Sequence, residues 1–175
     1  MQLAVALCAL GLACAGCGGG GGEPEPAGHA VTARVVRVID GDTIEVSIGG
    51  ADEDVRYIGI DTPETVKPGT PVQCYGPQAS AANHSLVDGR TVRLVFDRER
   101  RDVYGRLLAY VYTRPGGGNG GSASATGRSR FVNAALVREG YARTLTIAPN
   151  TAHVGLFRSL QARAGQAGRG LWSSC

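Results

Sequence analysis

The chain has 175 residues, the usual size of one domain and enough to bury a hydrophobic core. Hydrophobic residues make up 43% of the chain and charged residues 19%, which excludes disorder along its whole length. The 27 glycines include two runs, 18–22 and 116–121, without the period of collagen, and the formal net charge of +3 weakly favours an anionic partner.

The first 17 residues have the pattern of an export signal from a bacterial cell. Residues 3–15 are an uncharged run of apolar and small residues, and a helix of that length spans about 20 Å, short of the roughly 30 Å bilayer core. We therefore predict a signal peptide over residues 1–17. Residues 14–17 resemble a lipoprotein cleavage site, which would lipidate Cys17 and anchor the protein to a membrane. Ordinary secretion is the alternative.

The segment 18–28 is rich in Gly and Pro, which predicts a flexible tether ahead of a domain at 29–175. This domain keeps two cysteines, Cys74 and Cys175. In an oxidising compartment such a pair commonly forms a disulfide. Two independent thiols are the alternative, because the sequence does not show whether the two Cα atoms lie within bonding reach.

Five segments rich in β-branched residues are predicted as strands: 31–39, 43–48, 55–60, 91–96 and 107–113. Asp40 and Gly41 mark a hairpin turn between the first two strands, and 49–53 is the predicted turn before the third. Residues 61–75 form a long loop, a feature that usually carries function or is mobile.

Helices are predicted among the later segments. Pro77 fits the first turn of a helix that ends near Gly89, and a short helix at 131–139 ends at Gly140. A third begins near residue 150, with Val154, Phe157, Leu160 and Ala164 at helical spacing. Trp172 is expected to pack as a core or lid aromatic, and 114–130 is a Gly/Ser-rich insertion. Strands without βαβ alternation predict an α+β fold built on a small antiparallel barrel.

Three polar clusters carry the candidate chemistry: Asp40 with Asp42, Arg56 with residues 61–65, and residues 102–106. Carboxylates at strand ends suit Ca²⁺ or Mg²⁺, and two arginines nearby suit a phosphate. Each cluster alone is more often structural, as a hairpin turn, a helix cap or a surface ion pair. Arg56 and Asp61 are also an odd number of residues apart, so their convergence requires a bulge or a strand end, which we place at Gly59.

The order of seven motifs adds a resemblance that spacing alone does not give. VIDGDT, VRYIGIDTPET, CYGPQAS, DVYGRLLAYVY, FVNAALVREGYA, APN and GLW occur in the order typical of the staphylococcal nuclease (thermonuclease) family, which the chain resembles over about residues 30–173. The resemblance implies a five-stranded antiparallel OB-fold barrel with about three helices. It also implies Ca²⁺-dependent hydrolysis of DNA and RNA that leaves 3′-phosphate ends.

The resemblance also implies roles for single residues. The implied site residues are the metal ligands Asp42, Asp61 and Thr62 (through its carbonyl), the supporting residues Asp40 and Tyr104, and the catalytic residues Arg56, Glu64 and Arg106. Glu64 matches the residue beside the attacking water. Arg56 and Arg106 match the two guanidiniums on the scissile phosphate, with Arg106 nearer the leaving group.

Two departures from the family pattern bear on substrate binding. The resemblance implies tyrosines near the nucleotide base in the segment after the second helix, but residues 144–148 contain no aromatic and give no support for base stacking there. Lys67 is the only lysine of the long loop. We expect weaker nucleotide binding or a different substrate preference. The alternatives to an exported nuclease are a catalytically inactive nucleic-acid-binding OB-fold module and a structural envelope lipoprotein. We expect a monomer.

Overall fold

The computed structural model describes residues 29–66, 69–114 and 129–175. The predicted signal peptide (1–17) with its lipidation site Cys17, the tether (18–28) and all but the ends of the insertion (114–130) therefore lie outside the described residues. Within the described ranges, no helix combines the length and apolar character needed to cross a membrane.

The described residues form eight strands and four helices. The strands are β1 (Ala30–Val38), β2 (Thr43–Ile48), β3 (Ala51–Tyr57), β4 (Ile60–Asp61), β5 (Thr91–Val95), β6 (Leu107–Thr113), β7 (Arg130–Phe131) and β8 (Arg143–Thr144). The helices are α1 (Gly76–Val87), α2 (Val132–Arg138), α3 (Val154–Gln166) and α4 (Leu171–Ser174).

Five strands close into a barrel, which confirms the predicted α+β class and the five-stranded OB-type architecture. β1 pairs with β2 and β5, β2 pairs with β3, and β5 pairs with β6, all antiparallel. The barrel closes through β3 and β6, which are parallel. The prediction of an entirely antiparallel barrel is therefore wrong at this seam, where the chain returns through α1 and β5 before β6 begins.

The third strand differs from its predicted bounds of 55–60. β3 begins at Ala51, so the preceding turn is only Gly49 and Gly50, and it ends at Tyr57. Its first four residues are mostly polar and lack the apolar alternation that predicts a strand. After a turn at Ile58 and Gly59, the chain continues as β4, which pairs with β8 in a separate two-stranded sheet.

The hydrophobic core fills the barrel and continues under the helices. Ile44, Val46, Val55, Leu94 and Val111 are fully buried in the barrel. Outside it, α2 and α3 pack against each other and α2 contacts β6. The predicted core positions of α3 are buried apart from the half-buried Val154.

The start of α1 agrees with the sequence-based prediction, and Trp172 lies at the edge of the protein. Pro77 lies in the first turn of α1, as predicted, and the helix ends at Val87. Trp172 is half-buried, with the Arg143 guanidinium carbon 4.7 Å from its ring centroid. It therefore covers part of the surface near β8 and does not lie in the core.

Candidate active site

Asp42 is a buried carboxylate at the start of β2, and four polar groups surround it. Its Oδ2 accepts hydrogen bonds from the backbone N–H of Thr62 (2.7 Å) and the Thr62 hydroxyl (2.9 Å). The same oxygen lies 2.6 Å from Nη1 of Arg56. Its Oδ1 accepts a hydrogen bond from the Thr43 hydroxyl at 3.1 Å. This compensation lets a charged group remain buried, and it fixes the carboxylate in one orientation.

Arg56 joins the Asp42 carboxylate, in the turn before β2, to the Asp61 carboxylate at the end of β4. Its Nη1 contacts Asp42 and also donates to the Ile60 carbonyl at 3.2 Å, while its Nη2 donates to Oδ1 of Asp61 at 2.7 Å. The odd spacing of Arg56 and Asp61 is resolved because β3 ends before Gly59, whose φ of 81° belongs to the left-handed region. This turn changes which side of the chain faces the cleft, so that the side chains of Arg56 and Asp61 both lie in it.

Negative charge accumulates around Asp42. Burial and the neighbouring Asp42 charge raise the pKa of Asp40 to about 6. Burial raises the pKa of Asp61 as well, and the charges of Asp42 and Glu64 add to this despite the opposing Arg56. In both carboxyl groups burial is the main cause of the raised pKa, and the neighbouring negative charges add to it.

The residues present fit a hard divalent cation, because every donor is an oxygen. Among the described residues, no group of three or more His, Cys, Asp or Glu side chains is arranged to hold an ion. The predicted ligand set of Asp42, Asp61 and the Thr62 carbonyl stays a prediction, and it would offer two carboxylates and one backbone oxygen to such an ion.

Glu64 lies on the loop after β4 and folds back on its own backbone. Its Oε1 accepts hydrogen bonds from the backbone N–H groups of Thr65 (2.8 Å) and Val66 (2.9 Å). These contacts turn the carboxylate along the loop and restrict its rotamers. Glu64 lines the same cleft as Asp42 and Arg56.

Arg106 is held at the start of β6 by Asp102. The Asp102 carboxylate accepts from the backbone N–H of Arg106 (3.0 Å) and from its Nε (2.8 Å), and it lies 2.8 Å from Nη2. The exposed ring of Tyr104 lies beside the guanidinium, 5.3 Å from centroid to Cζ. The parallel pairing of Arg56 with Leu108 in β6 brings this turn next to β3.

One cleft of about 500 Å³ is lined by every residue that is predicted to bind the metal, contact the phosphate or support these residues. Its predicted residues are Asp40, Asp42, Arg56, Asp61, Thr62, Glu64, Tyr104 and Arg106. A second pocket of about 350 Å³ shares Arg56, Tyr104 and Arg106 with it. The outer wall of this second pocket is apolar, and Leu145 and Ile147 contribute to it.

Two supporting residues were missed as such in the sequence. Asn83 on α1 is fully buried; its Nδ2 donates to the Asp40 carbonyl at 2.9 Å, and its Oδ1 accepts from the Tyr57 hydroxyl at 2.9 Å. The signal in the sequence was a polar residue on the buried face of α1, between Ala79 and Val87. Asp102 was noticed only as part of a cluster, and its contact with Arg106 spans one tight turn.

Cys74 and Cys175 form a disulfide, with Cα atoms 5.9 Å apart and a sequence separation of 101. The bond joins the end of the long loop after β4 to the residue that follows α4. The loop that carries Glu64 is therefore covalently tied to the carboxyl-terminal segment.

Comparisons with known proteins find a matching family model and several similar proteins. The sequence model of the family described as "Staphylococcal nuclease homologue" matches residues 54–174. The chain is 40% identical over 143 residues to a thermonuclease of Staphylococcus hyicus, covering 82% of this chain and 76% of the relative. It is 44% identical over 138 residues to a thermonuclease of Staphylococcus intermedius, covering 79% and 74%. Endonuclease YncB of Bacillus subtilis (strain 168) is 41% identical over 145 residues, covering 82% and 62%.

Proposed function

The chain belongs to the staphylococcal nuclease family and is a nuclease, and from this premise we propose that it is an exported, Ca²⁺-dependent enzyme that hydrolyses DNA and RNA. The observation that carries the proposal is the single cleft that contains two arginines, Glu64 and the carboxylates of Asp42 and Asp61. Phosphodiester hydrolysis needs positive charge around the phosphate and a group that orients water, and this cleft offers both.

The nucleases of this family are metal-dependent, and the choice of Ca²⁺ is part of our proposal. Asp42, Asp61 and the Thr62 carbonyl would hold the ion, since their oxygens suit a hard cation. When bound, the ion supplies positive charge beside the phosphate and polarises a water molecule. Asp40 stays outside this set, and its side chain accepts the backbone N–H of Asp42 at 3.0 Å, which fixes the metal-binding turn.

Glu64 orients the attacking water and accepts its proton in the proposed reaction. Arg56 contacts a phosphate oxygen from the side of the carboxylates. The oxygen of the attacking water forms a bond to phosphorus as the bond from phosphorus to the 5′ oxygen breaks. Arg106, in the turn before β6, stabilises charge on this leaving oxygen, which takes up a proton from solvent, and the product keeps a 3′-phosphate. The Asp102 carboxylate contacts Nε and Nη2 of Arg106 and so orients the guanidinium. The other edge of the guanidinium remains available to the substrate.

The apolar pocket beside the cleft receives the nucleotide base in this proposal. Its outer wall carries Leu145 and Ile147, which are aliphatic and offer no aromatic face for stacking. Among the residues that line this pocket, the exposed ring of Tyr104 can stack on a base, while Leu145 and Ile147 contribute only burial of apolar surface. We expect weak discrimination between bases and a binding energy that comes mainly from phosphate contacts.

Export is supported by the disulfide, because such bonds persist mainly in oxidising compartments. We propose cleavage of the amino-terminal signal and attachment of lipid at Cys17, and plain secretion remains the alternative. Mass spectrometry of the mature amino terminus distinguishes the two. A lipid-modified Cys17 at the first position supports anchoring, and an unmodified amino terminus contradicts it.

The activity is tested by release of acid-soluble nucleotides from DNA and from RNA at millimolar Ca²⁺, with and without a chelator. We expect release that the chelator abolishes, and loss of release in Asp42→Asn, whose side chain keeps its shape but not its charge. Binding of DNA without cleavage would contradict the proposal and favour the inactive binding module. Release that resists the chelator would contradict the metal dependence.

A further inference from the structure

Gln73 contacts the backbone of Glu64 in two places. The backbone N–H of Glu64 donates to Oε1 of Gln73 at 2.9 Å, and the backbone N–H of Gln73 donates to the Glu64 carbonyl at 2.9 Å. The two residues are nine positions apart and are joined by the long loop. Gln73 therefore holds both polar groups of the Glu64 peptide backbone.

The segment around Glu64 is also packed tightly from the side of α1. A Cβ atom placed on Gly76 would lie 2.8 Å from the Thr65 methyl and 3.0 Å from the Glu64 carbonyl. The Gly76 N–H donates to the Gln73 carbonyl at 3.0 Å. Residues 63–65 consequently rest directly on the first turn of α1, and Gln73 bridges the two.

The residue after Gln73 is fixed covalently. Cys74 is bonded to Cys175, which follows α4 at the carboxyl end of the chain. The Cys175 N–H donates to the Leu171 carbonyl at 3.2 Å, and the Leu171 N–H donates to the Gly140 carbonyl at 2.9 Å. The disulfide thereby connects Gln73 through the chain end to the turn after α2.

We propose that Gln73 is a positioning residue for the nuclease reaction, which sets the position of Glu64 and is itself held by the Cys74–Cys175 disulfide. The inference rests on the proposed role of Glu64 as the group that orients the attacking water. A displacement of a catalytic group by about 1 Å can cost on the order of a hundredfold in rate. Of the two hydrogen bonds between Glu64 and Gln73, only the one to the Gln73 side chain can be removed by a substitution that leaves the backbone unchanged.

The test uses two substitutions of nearly equal shape at one position. Gln73→Met keeps the length of the side chain and removes the acceptor, while Gln73→Glu keeps an oxygen acceptor at the same place. We expect kcat on DNA to fall roughly tenfold to a hundredfold in Gln73→Met, with little change in KM. Gln73→Glu should restore most of kcat. Gln78→Met, on the exposed face of α1, is the matched control and should behave as the unmodified protein.

A double-substitution cycle with Glu64→Gln separates positioning from loss of stability. If Gln73 acts through Glu64, Gln73→Met should cost much less in the Glu64→Gln background than in the unmodified protein. An equal cost in both backgrounds, or unchanged kcat in Gln73→Met, overturns the inference. Full activity of Glu64→Gln contradicts the proposed role of Glu64, whereas no cleavage by the unmodified protein contradicts the proposed function itself.

Removal of the disulfide provides a second test of the proposal. Replacing both cysteines, Cys74→Ser with Cys175→Ser, should lower kcat in the same direction without changing KM. The combined effect with Gln73→Met should be smaller than the sum of the separate free-energy costs, because both act on one residue. Additive costs would show that the disulfide does not act through Gln73. If the double serine variant does not fold, the Gln73 pair alone decides the question.

Discussion

Arg106 has one edge of its guanidinium occupied by Asp102, and this arrangement predicts how it responds to substitution. In Arg106→Lys the positive charge remains, but an ammonium group cannot contact Asp102 and a phosphate with two parallel hydrogen bonds. We expect kcat to fall by about 10³- to 10⁵-fold, the range found for transition-state arginines in phosphoryl transfer. Steady-state kinetics on DNA measure the effect.

The control for this substitution is Arg34→Lys. Arg34 is exposed on β1 and does not line the cleft. Its replacement should leave kcat unchanged, and thermal melting should show that both variants fold. Full activity in Arg106→Lys would refute the role of Arg106 at the transition state.

Because the family motifs occur in order, they predict a role for each carboxylate and arginine of the cleft, and these roles stay predictions. The carboxylates and arginines occur in short runs such as VIDGDT and VRYIGIDTPET, where each position has one match. Asn83 has no such signal, since its partners are a backbone carbonyl 43 positions away and the hydroxyl of Tyr57. Long-range contacts of this kind depend on the packing of α1 against the barrel, which one sequence does not specify.

The break between β3 and β4 depends on Gly59. The residue has a φ of 81°, and a Cβ atom there would lie 2.5 Å from Cε2 of Phe157 on α3. Gly59→Ala should therefore introduce both backbone strain and a collision with a buried ring. We expect the free energy of unfolding to fall by about 2–5 kcal/mol, measured by denaturant titration.

Gly50→Ala is the matched control for the collision with Phe157. Gly50 has a φ of 90°, and a Cβ atom added there would meet no other atom within 4 Å. The backbone strain should thus be similar and the collision absent. Equal destabilisation by the two substitutions would contradict the packing of Gly59 against Phe157.

The residue before α3 predicts a pH dependence of stability. His153 is buried beside the rings of Tyr110 and Phe131, with centroids at 4.5 Å and 4.8 Å. Burial lowers its pKa, against a smaller opposing effect of Asp97. Below about pH 6.5 the histidine therefore binds a proton in the unfolded chain while it stays neutral in the folded protein. The free energy of unfolding consequently falls as the pH is lowered through this range.

His153→Leu removes this contribution. The free energy of unfolding of the unmodified protein, minus that of the variant, should decrease between about pH 7.5 and about pH 5, on either side of the ordinary pKa of histidine. Denaturant titrations of both proteins across this range provide the measurement. A difference that stays constant with pH would contradict the burial of a neutral His153.

At the level of elements, the sequence predicted those with regular apolar spacing. β6 has the predicted bounds, and Phe157, Leu160 and Ala164 of α3 are buried as their spacing predicts. The start of β3 was missed because Asp52, Glu53 and Asp54 carry no apolar alternation. Backbone pairing with β2 forms that part of the strand, and such pairing is independent of side-chain polarity.

At the scale of the whole molecule, barrel closure assembles the site. Arg56 on β3 and Arg106 before β6 are 50 positions apart, and the parallel pairing of these two strands brings them to one cleft. This seam is parallel, whereas the predicted barrel is antiparallel throughout. The resemblance identified the residues, while their meeting point depends on a strand pairing that local patterns do not encode.

The disulfide joins two residues that are 101 positions apart in the sequence, and it should contribute strongly to the stability of the domain. Closing a loop of about 100 residues reduces the entropy of the unfolded chain by an equivalent of roughly 4.7 kcal/mol. The double variant Cys74→Ser with Cys175→Ser should lose up to about that free energy of unfolding. Denaturant titration measures it, and unchanged stability would contradict this contribution of the disulfide.

Calorimetric titration of Ca²⁺, with and without a nucleoside bisphosphate, most directly tests whether the cation and a nucleic-acid phosphate meet in one cleft. The account predicts that the nucleotide tightens Ca²⁺ binding, by roughly 5- to 150-fold, and that Ca²⁺ tightens nucleotide binding by the same factor. Asp42→Asn should remove this coupling. Independent binding of the two ligands would contradict the account.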